Sequence, residues 1–229
     1  MSVDGARRPM PGEAVRIMLR PVASSLPLGF FAFGAGTMLL TALELHWAPL
    51  TDSRQLMVIV LAFVVPLELL AGLFAFLARD HGAATGLCIF AAVWAATALT
   101  EIGGPPGSLS LPLAIFLLTL VPMMLAMSVA SIPGKPAFGV LMLFAASRFA
   151  LTGVYQATGV KATETAAGWL GVPIGVFALY GGLALLLEES FRRTVLPLGR
   201  RGVARTSLEG EFGHQILGTE QEPGIRRQL

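Results

Sequence analysis

The chain has 229 residues, of which 55% are hydrophobic and only 13% charged, with a formal net charge of +2. A soluble domain carries about 25% charged residues, so this composition excludes an ordinary soluble enzyme or a nucleic-acid-binding module and points to an integral membrane protein. The single Cys88 excludes an internal disulfide and a cysteine-based metal site.

Residues 1–25 form a polar N-terminal segment with Arg7, Arg8, Arg16 and Arg20. Within it, "EAVRIMLR" (13–20) alternates apolar and basic residues at helical spacing, the pattern of an interfacial helix; a disordered tail is the competing reading. No cleavable signal peptide is evident, because the first apolar run is long enough to span.

A spanning helix needs about 20 mostly apolar residues. Six stretches qualify: 26–47, 56–78, 83–102, 111–132, 137–156 and 166–187. The expected fold is therefore an all-α integral membrane protein, with a six-helix domain over 26–196 and a polar, flexible tail over 197–229. Backbone inside a bilayer must satisfy its own hydrogen bonds, which is why the spans read as helices.

Thirteen of the lysines and arginines fall in the N-terminal segment, the 2–3 and 4–5 loops and the C-terminal part, against two, Arg54 and Lys161, on the other side. Both termini are expected in the cytoplasm. Pro66, Pro122 and Pro173 interrupt spans 2, 4 and 6, each removing one backbone donor. This pattern predicts three hairpins, 1–2, 3–4 and 5–6, around a centre. Gly171 and Gly175 form a GxxxG pair that suits close helix approach, within one subunit or between subunits.

Glu44 and Glu101 fall near span ends, where a long side chain reaches headgroups or water. Glu68 and Arg148 fall near mid-bilayer, where each costs about 2.5–3.5 kcal/mol. Their similar depth makes them candidate partners. Three readings stand: a structural ion pair, a wet pathway that binds a charged substrate, and Glu68 as a proton carrier. No histidine has a partner at metal-ligand spacing, and no nucleophile–base motif is present. No cofactor, metal site or catalytic residue is expected. The arginines near the membrane suit anionic lipid headgroups.

Three stretches carry a resemblance: "LPLGFFAFG" (26–34), "ELLAGLFAFLARDHGAATGL" (68–87) and "AGWLGVPIGVFALYGGLALLLEESFRRTVLPLG" (167–199). Together they resemble the acetate uptake transporter family, also called the succinate–acetate permease family. The resemblance implies a six-helix bundle with a narrow central path, assembly as a hexamer in the plasma membrane, and movement of acetate, succinate and similar small carboxylates with protons. The family opens helix 1 with N-P-A-P-L-G; Pro27, Leu28 and Gly29 keep its second half, and Ser24, Ser25 and Leu26 replace the first. Pro27 suits a first helical turn and Ser24 or Ser25 a cap, so backbone N–H groups there make a candidate carboxylate contact.

The resemblance places the constricting aromatic of helix 1 on Phe33 and that of helix 3 on Val93, with Trp94 beside it; Tyr180 is a further candidate gate residue. It also marks Glu68, where the family has Gln, and Arg148, where it has a neutral residue, as departures of opposite sign. The implied function is a transporter or channel for small carboxylates with altered selectivity, using Pro27, Leu28, Gly29, Glu68 and Arg148 as substrate contacts. The alternative is a non-transporting scaffold or sensor whose pore a buried Glu–Arg pair seals.

Overall fold

The computed structural model describes residues 23–78, 80–191 and 193–201. The expected interfacial helix at 13–20 lies outside them, as does most of the tail. Six helices are long and apolar enough to cross a membrane, and no strand occurs among the described residues. They are α1 (Leu26–Glu44), α2 (Leu50–Leu77), α3 (His81–Gly103), α4 (Leu111–Ser131), α5 (Pro136–Thr158) and α6 (Lys161–Phe191).

Local chemistry sets most of the boundaries. Pro27, Pro112 and Pro136 sit in first turns, where a missing N–H costs nothing. Asp80 caps α3 by accepting the Ala83 N–H at 3.2 Å, and Ser110 caps α4 by accepting that of Leu113 at 3.3 Å. Gly159, at φ 72°, ends α5 in the left-handed conformation. Ser25, expected as a possible cap, makes no cap bond; its hydroxyl donates instead to the Ala71 carbonyl of α2 at 2.7 Å.

The prolines leave different marks. Pro122 and Pro173 stay inside continuous helices. In α2 a π-turn, Val60–Val64, intervenes between the α-helical Ser53–Ile59 and Val65–Leu77. A π-turn just before Pro66 rearranges the carbonyls that this ring leaves without a donor.

The helices close into a ring in chain order, with α6 returning to α1. The densest seams are α1–α6, α2–α3 and α4–α5, so the expected hairpin pairs 1–2, 3–4 and 5–6 are replaced by the alternate set. Glycines explain the choice. A side chain at Gly72 of α2 would stand 3.2 Å from the Cys88 nitrogen of α3, and one at Gly139 of α5 would stand 3.0 Å from the Ser128 carbonyl oxygen of α4. Gly171 and Gly175 face Thr41 and Met38 of α1, so the GxxxG pair serves packing within the chain.

The interior is built from small residues, with Ala71, Ala84, Ala98, Ala114, Ala167 and Ala178 all at most 2% exposed. Beside a buried cluster that includes Phe33, Met57, Phe90 and Met142, many large apolar side chains face outward, as at Leu73, Leu77, Val129, Trp169 and Val176. A soluble bundle has the reverse pattern; with lipid outside, close packing of small residues replaces the hydrophobic drive.

We predict that Gly139→Val lowers stability by about 1–3 kcal/mol or more, because backbone of α4 blocks the added carbons. Gly103→Ala, with nothing within 4 Å, should leave it unchanged. Thermal unfolding of the purified protein in detergent compares the two.

Candidate functional site

Arg148 projects from the middle of α5 and is 6% exposed. Its Nη2 donates to Glu44 Oε2 of α1 at 2.6 Å. Both side chains are 7% exposed, so this is a buried ion pair. Thr152, one turn beyond Arg148, donates to the other Glu44 oxygen at 3.3 Å. The pair joins helices that are not neighbours in the ring. It passes in front of α6 at Gly171, where a Cβ would collide with Thr41 Oγ1 and stand 2.7 Å from Arg148 Nη1.

The sequence expectation of a Glu68–Arg148 pair is therefore corrected: the partner is Glu44. Helical side chains lean toward their own N-terminus, which brings Glu44 back from the end of α1 into the bundle. The long arginine side chain covers the remaining distance. For the same reason Glu44 does not reach headgroups or water. Glu68 cannot compete, because α2 stands opposite α5 in the ring, whereas only α6 separates α1 from α5, and it does so at Gly171, which has no side chain. Glu68 is fully buried, and neither of its oxygens has a hydrogen-bond partner among the described residues. The indole N–H of Trp94 lies toward it without completing a bond.

A narrow cavity of about 40 Å³ opens beside Arg148. Phe33, Phe90, Val93, Trp94 and Phe149 give it aromatic and apolar walls, and Thr37, Thr97 and Thr152 also line it. Phe33 and Phe90 have ring centroids 4.6 Å apart, and Phe33 and Trp94 meet edge-on at 6.2 Å. The space suits only a few water-sized groups, the size class of a two-carbon acid.

A larger cavity, about 240 Å³, lies at the end of the bundle where α1 starts and α6 finishes. Ser24, Ser25 and Phe30 of the α1 start border it, together with Phe138 and Phe177. Two ion pairs stand at its edge, Lys135–Asp80 at 2.5 Å and Arg200–Glu188 at 2.7 Å. Residues 193–201 run past this opening, held by the Arg201 N–H on the Gly134 carbonyl at 2.9 Å and by the Tyr180 hydroxyl on the Pro197 carbonyl at 3.0 Å. On α1, Phe30 borders the outer cavity and Phe33 the inner one, a single turn apart. The two spaces thus border successive turns of α1.

Phe33, Val93, Trp94 and Arg148 come together at the inner cavity. Pro27 and Gly29 are buried in packing, Gly29 against Leu87 and Ala71, and neither they nor Leu28 line a cavity. The α1 start meets the vestibule one turn earlier, at Ser24 to Leu26. Tyr180 lies outside the constriction and anchors the passing 193–201 segment. Sequence reasoning missed Phe90, Phe149, Thr152 and above all Glu44. The signal for Glu44 was an acid preceding the end of an otherwise uncharged helix, with an unmatched cation elsewhere in the membrane.

A family model for the GPR1/FUN34/yaaH family matches residues 6–198. The chain belongs to that family. Its members are the acetate uptake transporters, which are channels and transporters rather than enzymes. A solved structure of the bacterial acetate channel SatP matches this fold with a TM-score of 0.69 and 24% sequence identity, over 78% of this chain and 99% of that one. No curated protein sequence matches. The match covers nearly the whole length of the SatP chain, so the fold of that channel is present here.

Two buried glutamates should respond in opposite ways to neutralisation. Arg148→Met strands Glu44 and is expected to cost about 3–5 kcal/mol. Adding Glu44→Gln should recover most of that loss, whereas adding Glu68→Gln should recover none. Glu68→Gln alone should be neutral or stabilising, because it removes an acid without a partner. Unfolding of the four variants in detergent measures the coupling.

Proposed function

We propose that this chain is a channel or transporter for small carboxylates of the acetate and succinate class, conducted along the axis of the six-helix ring. The observation that carries this reading is a narrow cavity walled by Phe33, Phe90 and Trp94 with a buried guanidinium, Arg148, beside it. The aromatic wall disfavours a hydrated anion, since an uncompensated charge in the membrane interior is costly. Arg148 offers a planar, two-donor match for a carboxylate once the acid has entered. Passage therefore favours the protonated acid, coupled to a proton, and uptake is faster at acidic pH.

Arg148 also bears on selectivity. In the family resemblance this position is neutral, and a cation beside a small cavity favours a compact carboxylate over larger or uncharged solutes. Membership in the family supports a hexameric assembly in the plasma membrane, and the distribution of lysine and arginine supports cytoplasmic termini. A second reading, a sealed scaffold or sensor, draws on the Arg148–Glu44 pair and on the apolar turn between Phe30 and Phe33.

Labelled acetate and succinate uptake into proteoliposomes decides between them. Uptake above that of empty vesicles, rising as external pH falls toward about 5–6, is the expected result; uptake equal to empty vesicles would leave only the scaffold reading. Phe33→Ala, which opens the inner cavity, should raise acetate flux on the order of tenfold, equivalent to about 1.4 kcal/mol off the barrier.

A further inference from the structure

Glu44 does not border the inner cavity, but both groups that hold it do: Arg148 and Thr152. The geometry points to Glu44 as the proton acceptor of the conduction path and to Thr152 as the hydroxyl that delivers the proton from a small carboxylic acid in the cavity. This inference rests on the carboxylate reading above and adds to it the residues that move the proton.

The charge balance requires such a partner. Arg148 and Glu44 are together neutral, and they sit among apolar and aromatic side chains. An acetate anion arriving alone would leave a net negative charge deep in the bundle. An undissociated acid arriving there leaves the total unchanged, provided its proton has a destination. Thr152 lines the cavity, and its Oγ1 donates to Glu44 Oε1 at 3.3 Å. A hydroxyl both donates and accepts. The acid's O–H bond breaks as its proton passes to Thr152 Oγ1, and the hydroxyl's own proton passes to Glu44 Oε1. The new carboxylate then takes the place of Glu44 on the Arg148 guanidinium, and Glu44 stands as a neutral acid. Reversal of both transfers releases the acid on the other side. No electron or other reactant is needed.

The surroundings of Glu44 are compatible with this exchange. From α5 it meets Arg148 and Thr152, and from α6 the nearest charged group is Glu164, which Lys161 holds at 3.0 Å. Glu101 of α3 stands farther along, beside Gln156 and Glu164. Arg148 is the cation that faces Glu44, so displacement by an incoming carboxylate leaves the glutamate without another positive partner among the described residues. Thr41 Oγ1, one turn before Glu44, has no hydrogen-bond partner among them either.

The test is labelled acetate uptake by full-length protein in proteoliposomes, with a lumenal pH dye and a membrane potential set by potassium and valinomycin. Wild-type uptake above that of empty vesicles should carry one proton per acetate and be indifferent to the potential. Glu44→Gln keeps a hydrogen-bonding partner for Arg148 but cannot take a proton. Its uptake should become driven by the potential, with the proton-to-acetate ratio falling from one to near zero. Thr152→Val should slow proton-coupled uptake by about a hundredfold, the low end of what a placed proton-transfer group contributes, and Thr152→Ser should restore it. Wild-type uptake driven by the potential, or a Glu44→Gln protein that still moves one proton per acetate, overturns the inference while leaving carboxylate conduction standing. Wild-type uptake no greater than that of empty vesicles overturns both.

Discussion

A single buried ion pair organises the interior of this bundle. Arg148 and Glu44 join α5 to α1, two helices that the ring keeps apart by placing α6 between them. The connection exists because α6 presents bare backbone at Gly171, leaving room for the guanidinium and for Thr41. Each charge alone would be a large burden in hydrocarbon; together they cancel, and Thr152 takes up the second carboxylate oxygen. The inner cavity opens beside that cross-link, lined by Arg148 and Thr152.

The rest of the packing reflects having lipid outside. A soluble bundle would gather Leu and Phe at its centre. Here Leu73, Leu77 and Val129 face outward, and alanines and glycines line the seams. Tight contact of backbones lets a ring of six helices keep only a small space, about 40 Å³, beside its central apolar cluster. The aromatic side chains that remain inside, Phe33, Phe90 and Trp94, gather at that space.

The spans were legible in the sequence because a twenty-residue apolar run has few other uses, and the isolated Arg148 was legible as an anomaly for the same reason. Its partner was not. Depth counted along each helix follows Cα positions, whereas the contact is made by the ends of long side chains that reach well away from them. Glu44 looked close enough to the end of α1 to reach water, and Glu68 looked better matched in depth. Position in the ring decided between them: α2 stands opposite α5, whereas α1 is one helix removed from it, and Gly171 leaves the space between them open. Phe33, Val93 and Trp94 were found through a family resemblance; Phe90 and Phe149, equally part of the wall, look like ordinary apolar residues in the sequence. Tyr180 was misplaced by the same ambiguity, since an aromatic in a membrane helix can face a path, a neighbour or, as here, a passing segment.

The π-turn at Val60–Val64 governs how this chain tolerates change in length. Each residue of an α-helix rotates the next side chain by about 100° around the axis, and the wider turn accommodates residues that a regular helix would place elsewhere. A π-turn holds about one residue more than an α-turn. Loss of one residue within 60–64 would therefore return the segment to a regular turn, with Met57 and Glu68, both buried, still on the inward face. The same loss in a regular part of α2 would rotate one half of the helix against the other. In this helix the widened turn is where a change in length can be absorbed without turning its buried residues toward lipid.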